Sequence, residues 1–337
     1  MSASTSSVRA LRLRVSRRRR GRGIPVELGP LVGLLALILA FSLLSDKFLT
    51  TSNLALIAEQ GAIFAIMAVG MTFVLASGEI DLSVGAIYGL ASVMLAIALR
   101  DGASPVVAVL IALAVGAIAG SLNGALSVGL GVPTIVITLG TLTVFRGVTY
   151  WITDGGFPVE GFPQESWFFS LADGKLLGTV PYIVLVMAAV AVLGSVVLTR
   201  TRMGRRTLAT GSNRKAATYS AIRVNRVKIG VLTGMGLLAG LAGVLGLLTV
   251  PSGDPNAGLG YELDVIAAAI IGGVKLGGGA GSVVGAVIGT YIITTFRNGL
   301  VLLGVPIFAN QIVSGAIVIL AVAIDRVIRA RAGQVRD

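Results

Sequence analysis

Between Leu28 and Ile324 the chain alternates long apolar runs with short polar breaks. A run of about 18 residues or more with few charges is long enough to cross hydrocarbon as a helix. Ten spans are predicted, near Leu28–Ser45, Leu54–Ala76, Leu82–Leu99, Ser104–Val128, Pro133–Ile152, Val180–Thr199, Ile229–Val250, Leu263–Val274, Gly281–Leu303 and Pro306–Ile324. The eighth is short for a full crossing, so a broken or partly re-entrant segment is expected there. The predicted fold class is an all-α polytopic membrane protein of about ten transmembrane helices. Only 12% of the residues are charged, about half the share in a soluble domain.

The charges test the span count. With the N-terminus cytoplasmic and ten crossings, 22 of the 27 basic residues fall in cytoplasmic segments, as the positive-inside rule requires. Lys47, Arg100, Arg146, Lys175 and Arg297 are the exceptions. Both termini are therefore expected inside: residues 1–27 as a disordered basic arm, 28–325 as the transmembrane domain and 326–337 as a basic tail. No cleavable signal peptide is expected, because the first apolar run lacks a small-residue cleavage site and is long enough to span. Basic residues that flank apolar runs speak for contact with membrane lipids and against nucleic acid as a partner.

Acids near the hydrocarbon need a reason to be there. In "GEIDLSVG", Gly78 to Gly85, Glu79, Asp81 and Ser83 alternate with aliphatic residues between the second and third spans. Asp81 with Ser83 is placed to cap the third helix. Alternatively, an interrupted helix leaves carboxylates lining a polar path. The cap is expected for Asp81, and a milder role in transport alone for Glu79. A second Glu-x-Asp pair, Glu262 and Asp264, lies between the seventh and eighth spans, and Asn123-Gly124 is echoed by Asn298-Gly299. This order suggests an inverted repeat of spans 2–5 and 7–10. Gln60, Glu79, Asp81, Ser83, Asn123, Glu262, Asp264 and Asn298 are the candidates to line a path by hydrogen bonding.

Glycines at four-residue spacing, namely Gly85/Gly89, Gly116/Gly120/Gly124 and Gly281/Gly285/Gly289, mark faces where helix backbones touch. The outer loop from Thr153 to Thr179 mixes acids with Trp167, Phe168 and Phe169, which suits either the membrane interface or an external docking partner. In the basic segment 200–228, Ser212 or Asn213 is positioned to cap a short helix over "RKAATYSAI" that faces water. The turn "GGGAG", Gly277 to Gly281, lacks the Gly-Lys-Ser/Thr of a phosphate loop, so any ATP must be bound by another subunit. The chain contains no Cys and no His, which removes zinc-hydrolase, thiol and Ser-His-Asp chemistry. No Gly-x-Gly-Asp motif pairs two membrane aspartates either, and on these grounds together an intramembrane enzyme is excluded. An ion-coupled secondary carrier of a small polar solute remains the alternative.

Three stretches, "GMTFVLASGEIDLSVGAIYGLASV", "TRMGRRTLATGSNRKAATYSAIRVNRVKI" and "NAGLGYELDVIAAAIIGGVKLGGGAGSVVGAVIGT", followed by "RNGLVLLGV", resemble the permease subunits of bacterial ABC sugar importers of the ribose type. The resemblance runs from about Phe48 to Asp325. It implies a non-catalytic, multi-pass subunit in the bacterial cytoplasmic (inner) membrane, importing a monosaccharide or related polyol by alternating access. The implied partners are a second permease copy or paralogue, a cytoplasmic tandem-domain ATPase and an extracytoplasmic sugar-binding protein. No cofactor is implied in this chain, since ATP and Mg belong to the ATPase. By the same resemblance, Gly211, Ser212, Asn213, Lys215, Ala216, Ala217 and Ile222 form the ATPase-coupling region. Two positions depart from the family pattern: Lys215 stands where an acid is usual, and Ala221 stands where Gly is usual.

Overall fold

The computed structural model describes residues 27–306, apart from 165, 166 and 177, and only isolated positions beyond. The basic arm before Glu27, the tenth predicted span and the basic tail at 326–337 lie outside the described residues. The elements in order are α1 (Leu28–Leu44), α2 (Thr51–Ala76), α3 (Val84–Arg100), α4 (Pro105–Gly129), α5 (Thr134–Ile152), α6 (Trp167–Asp173), β1 (Lys175–Leu176), β2 (Val180–Pro181), α7 (Tyr182–Arg200), α8 (Arg202–Ser212), α9 (Arg214–Tyr219), α10 (Val224–Thr249), α11 (Tyr261–Ile271) and α12 (Val283–Leu302). Strands β1 and β2 form a small antiparallel hairpin, and the other elements among the described residues are helices.

Six of the described helices, α2, α4, α5, α7, α10 and α12, are long and apolar enough to cross a membrane. Helices α1 and α3 are shorter apolar helices of 17 residues each. The eighth predicted span is cut to 11 residues in α11, a rise of about 16 Å against a hydrocarbon core of about 30 Å. Gly273, Gly278 and Gly279 take positive φ in the turn that follows, and the chain runs on without helix to Ser282. Leu110, Ile118, Leu139, Val144 and Leu193 are exposed on the outer helix faces, as lipid contact requires.

Glycine faces set the packing. Gly116 and Gly120 of α4 lie against Gly236 and Leu232 of α10, and a Cβ on Gly236 would overlap the Gly116 carbonyl. Gly285 and Gly289 of α12 meet Gly272 and Ala268 in the same way. Gly85 and Gly89 of α3 meet backbone carbonyls of Gly258 and Ala257 rather than another helix, so this third stripe admits a loop. With α4 on one side and α2 and α3 on the others, α10 forms the buried centre.

Three breaks in the helices meet at one end of the bundle. Gly279 N donates to Ala76 O at 2.9 Å, and Gly78, Gly211 and Gly278 pack backbone to backbone. Glu27, just before α1, accepts from Ser282 Oγ at 2.7 Å, which holds its carboxyl below the ordinary carboxylate range. At the other end, Val159 and Gly253 exchange two backbone hydrogen bonds of 3.1 and 2.9 Å.

Candidate translocation and coupling site

Helix α2 ends at Ala76, Gly78 turns the chain with φ +81°, and α3 starts at Val84. The segment between them carries two buried acids with different partners. Glu79 receives Lys228 Nζ at 3.2 Å, Arg214 Nη1 at 3.1 Å and the Thr134 hydroxyl. Lys228, the fifth residue of α10, is 6% exposed in its side chain, whereas Arg214, the first residue of α9, is 54% exposed. A single carboxylate thus joins the α2–α3 break, α5, α9 and α10. The low exposure of Glu79 and Lys228 makes their pairing obligatory, since either charge left alone would be buried without compensation.

Asp81 has a local partner instead. Its Oδ1 accepts from Ser83 N at 2.8 Å and Ser83 Oγ at 2.6 Å. Asn123 of α4 then donates to Ser83 Oγ at 2.8 Å and accepts from Thr141 of α5 at 2.6 Å. The expected helix cap is corrected here: Asp81 binds the residue before α3, not the free N–H groups of its first turn. Ser83 cannot substitute, because its hydroxyl is engaged on both sides and its backbone is already helical, with φ −88° and ψ −4°. Asp81 Oδ2 is buried with no hydrogen-bond partner.

The second acid pair sits differently. Glu262 and Asp264 occupy the first turn of α11, where the helix dipole favours negative charge. Asp264 binds Arg297 of α12 at 2.6 Å. A Cβ on Gly85 would lie 2.7 Å from Glu262 Oε2, so the N-termini of α3 and α11 are side by side. Around them stand Phe64, Tyr88 and Tyr261, with ring centroids 4.4 Å (Phe64–Tyr261) and 5.2 Å (Tyr88–Tyr261) apart. Arg146 of α5 donates to Pro255 O at 2.6 Å and Ala257 O at 2.8 Å, fixing the 251–260 segment beside α3. Converging half-helix N-termini, aromatic faces and half-buried polar groups can hold a hydroxyl-rich solute.

Of the predicted path residues, Asp81, Ser83 and Asn123 form one chain, while Glu79 belongs to the ionic cluster. Asn298 pairs with Asn53 through two hydrogen bonds of 2.8 and 3.0 Å, joining α12 to α2. Gln60 is exposed on α2 and joins neither network. In the basic segment, Asn213 is the cap that forms, its Oδ1 accepting from Ala216 N at 2.9 Å, while Ser212 closes α8. Ser212, Asn213, Lys215 and Ala216 are exposed and Ile222 is half-buried. Ala217, expected to face water, is buried, and Gly211 is pressed against the Ala76 carbonyl. Ala221 has φ +59°, a left-handed conformation that glycine adopts freely. Among the described residues, no group of three or more acids is placed to hold a metal ion.

Sequence reasoning missed Thr134, Thr138 and Thr141, although their i, i+4, i+7 spacing draws a polar stripe down α5. It also left Arg146 and Arg297 unassigned, although a charge inside a predicted span is itself a signal.

Residues 53–322 match a protein-family model described as the permease component of the branched-chain amino acid transport system. The chain belongs to this permease family. Ribose import permease protein RbsC of Bacillus subtilis is 43% identical over 305 residues, covering 90% of this permease and 94% of the relative. Its counterpart in Escherichia coli K12 is 40% identical over 301 residues, covering 89% and 94%. The D-allose transport system permease protein AlsC of E. coli K12 is 38% identical over 298 residues, covering 88% and 90%. No solved structure matches the chain significantly. Together these relatives mark a non-catalytic membrane subunit of the ribose type of ABC sugar importer, not an enzyme.

Proposed function

We propose that this permease imports a monosaccharide such as ribose, or a related polyol, across the bacterial cytoplasmic membrane by alternating access driven by a partner ATPase. The observation that carries the cargo reading is its match, over nine-tenths of both chains, to ribose import permeases. In this reading the chain makes ten crossings with both termini inside, supported by where its basic residues lie. The arm, transmembrane domain and tail keep the boundaries given above. Helices α2 and α10, each of 26 residues and five spans apart in the predicted order, support the inverted repeat. The acid pairs are not equivalent within it, since one precedes its helix and the other lies inside one.

The solute passes along the face where the N-termini of α3 and α11 meet, and a second permease copy or paralogue closes that face. Gln60 and Glu262 contribute hydrogen bonds to the path, and the Asp81–Ser83–Asn123 chain holds the α2–α3 break in shape. A sugar-binding protein outside delivers the cargo. The cytoplasmic ATPase binds ATP and Mg, and the permease itself carries no cofactor. Ser212, Asn213, Lys215, Ala216 and the 90% exposed Tyr219 present the coupling surface, while Gly211, Ala217 and Ile222 seat α9 against the bundle. Through Arg214, a push on α9 reaches Glu79 and hence the α2–α3 break.

The chain is free of cysteine, which makes cross-linking the direct test. Tyr219→Cys is expected to cross-link to the ATPase in membranes, whereas Trp151→Cys, 82% exposed on α5, is expected to cross-link only to other membrane components. A Tyr219→Cys variant labelled from outside intact cells would defeat the orientation and the coupling together.

A further inference from the structure

An apolar cavity of about 230 Å³ lies between α2, α7 and α10, away from the path. Val69, Phe73, Gly194, Val231, Met235 and Leu238 form its walls, joined by Met203 of α8. Gly234 lines it without filling it, and a Cβ there would meet nothing within 4 Å. Met203 is flanked by Arg202, Arg205 and Arg206, and Arg226 stands one turn before Gly230 on α10. None of these four arginines has a carboxylate within ion-pair distance among the described residues. No Asp or Glu occurs anywhere from Gly174 to Gly253.

We propose that this cavity is a binding site for one anionic phospholipid, with an acyl chain between α7 and α10 and the phosphate held by the arginines of α8 and Arg226. Charge decides the occupant. The basic segment 200–228, which lends Met203 to the cavity, offers cations and no acids, so a second copy docked by the same face would set arginine against arginine. Helix α8 buries Gly204, Thr207 and Thr210 while Met203 and its three arginines stay exposed, an arrangement suited to headgroup level, where the methionine meets acyl chains and the arginines meet phosphates. The inference rests on the chain spanning a membrane; the proposed orientation decides only that the inner leaflet supplies the lipid. It does not depend on the cargo or the ATPase.

The test is native mass spectrometry of the purified permease exchanged into mixed micelles of phosphatidylglycerol and phosphatidylcholine. The wild type is expected to retain one phosphatidylglycerol in preference to phosphatidylcholine. Arg202→Gln and Arg206→Gln are each expected to lower that preference about fivefold. Gly234→Leu fills open space on a helix and improves helix propensity, so it is expected to fold and to lose the retained lipid of either type. Equal retention of both lipids by the wild type would overturn the proposal. So would undiminished phosphatidylglycerol in Gly234→Leu, and so would a dimer that this variant splits without any change in lipid, which would make the groove a protein interface.

Discussion

Replacing Glu79 by alanine tests the ionic cluster most severely. The substitution leaves Lys228, 6% exposed, as a buried cation with no acid beside it, and breaking a buried pair in this way costs about 3–5 kcal/mol. Against a total stability of about 5–15 kcal/mol, that is enough to reduce the folded permease sharply. The Arg214 contact is half-exposed, so Arg214→Gln is expected to cost no more than about 1 kcal/mol while weakening the link to α9. Removing both buried charges in Glu79→Ala/Lys228→Met should restore most of the folded protein, because the penalty comes from the orphaned charge rather than from a lost attraction. The assay is thermal unfolding of detergent-solubilised permease, read as the fraction that stays monodisperse after heating. An abundant Glu79→Ala with wild-type unfolding, or a double variant no better than the single one, would refute the reasoning. A mild, transport-only defect, which the sequence alone suggests for Glu79, is that refuting result.

Ala221→Gly removes a left-handed strain and should stabilise the permease by about 1 kcal/mol, seen as a raised midpoint in the same assay; a lowered midpoint would contradict it. Gly236→Ala drives a methyl into the Gly116 carbonyl across the α4–α10 contact and should destabilise by about 1–3 kcal/mol, whereas Gly234→Ala on the same helix should not. Asp81→Asn keeps the acceptor for Ser83 and should leave abundance near normal, while Asp81→Ala frees two buried donors and should lower it by about 1–3 kcal/mol of stability; equal abundance of the two variants would argue against the hydrogen-bond chain.

Much of the scaffold was legible because hydrophobic run length and glycine spacing are local signals. Gly116, Gly120 and Gly124 pack on α10 as their four-residue period requires, and Asn213 caps α9 as its position before "RKAATY" predicts. The short eighth span announced α11 in the same way. What escaped was whatever depends on chain segments far apart. Glu79 and Asp81 look alike in sequence, yet one binds cations 135 and 149 positions away and the other binds its neighbour Ser83. Glu262 and Asp264 repeat the motif, but only the fold places Glu262 beside Gly85 and gives Asp264 to Arg297. The burial of Ala217 likewise depends on how α9 lies on the bundle, which the loop's polar composition hides.

The most direct test of the central claim is sugar uptake by liposomes holding the purified permease with its partner ATPase inside and its binding protein outside. Labelled ribose should accumulate when ATP is enclosed, should stop when the ATPase is omitted, and should be insensitive to collapse of the proton and sodium gradients. Uptake that persists without the ATPase and follows an imposed ion gradient would contradict the account and identify an ion-coupled carrier.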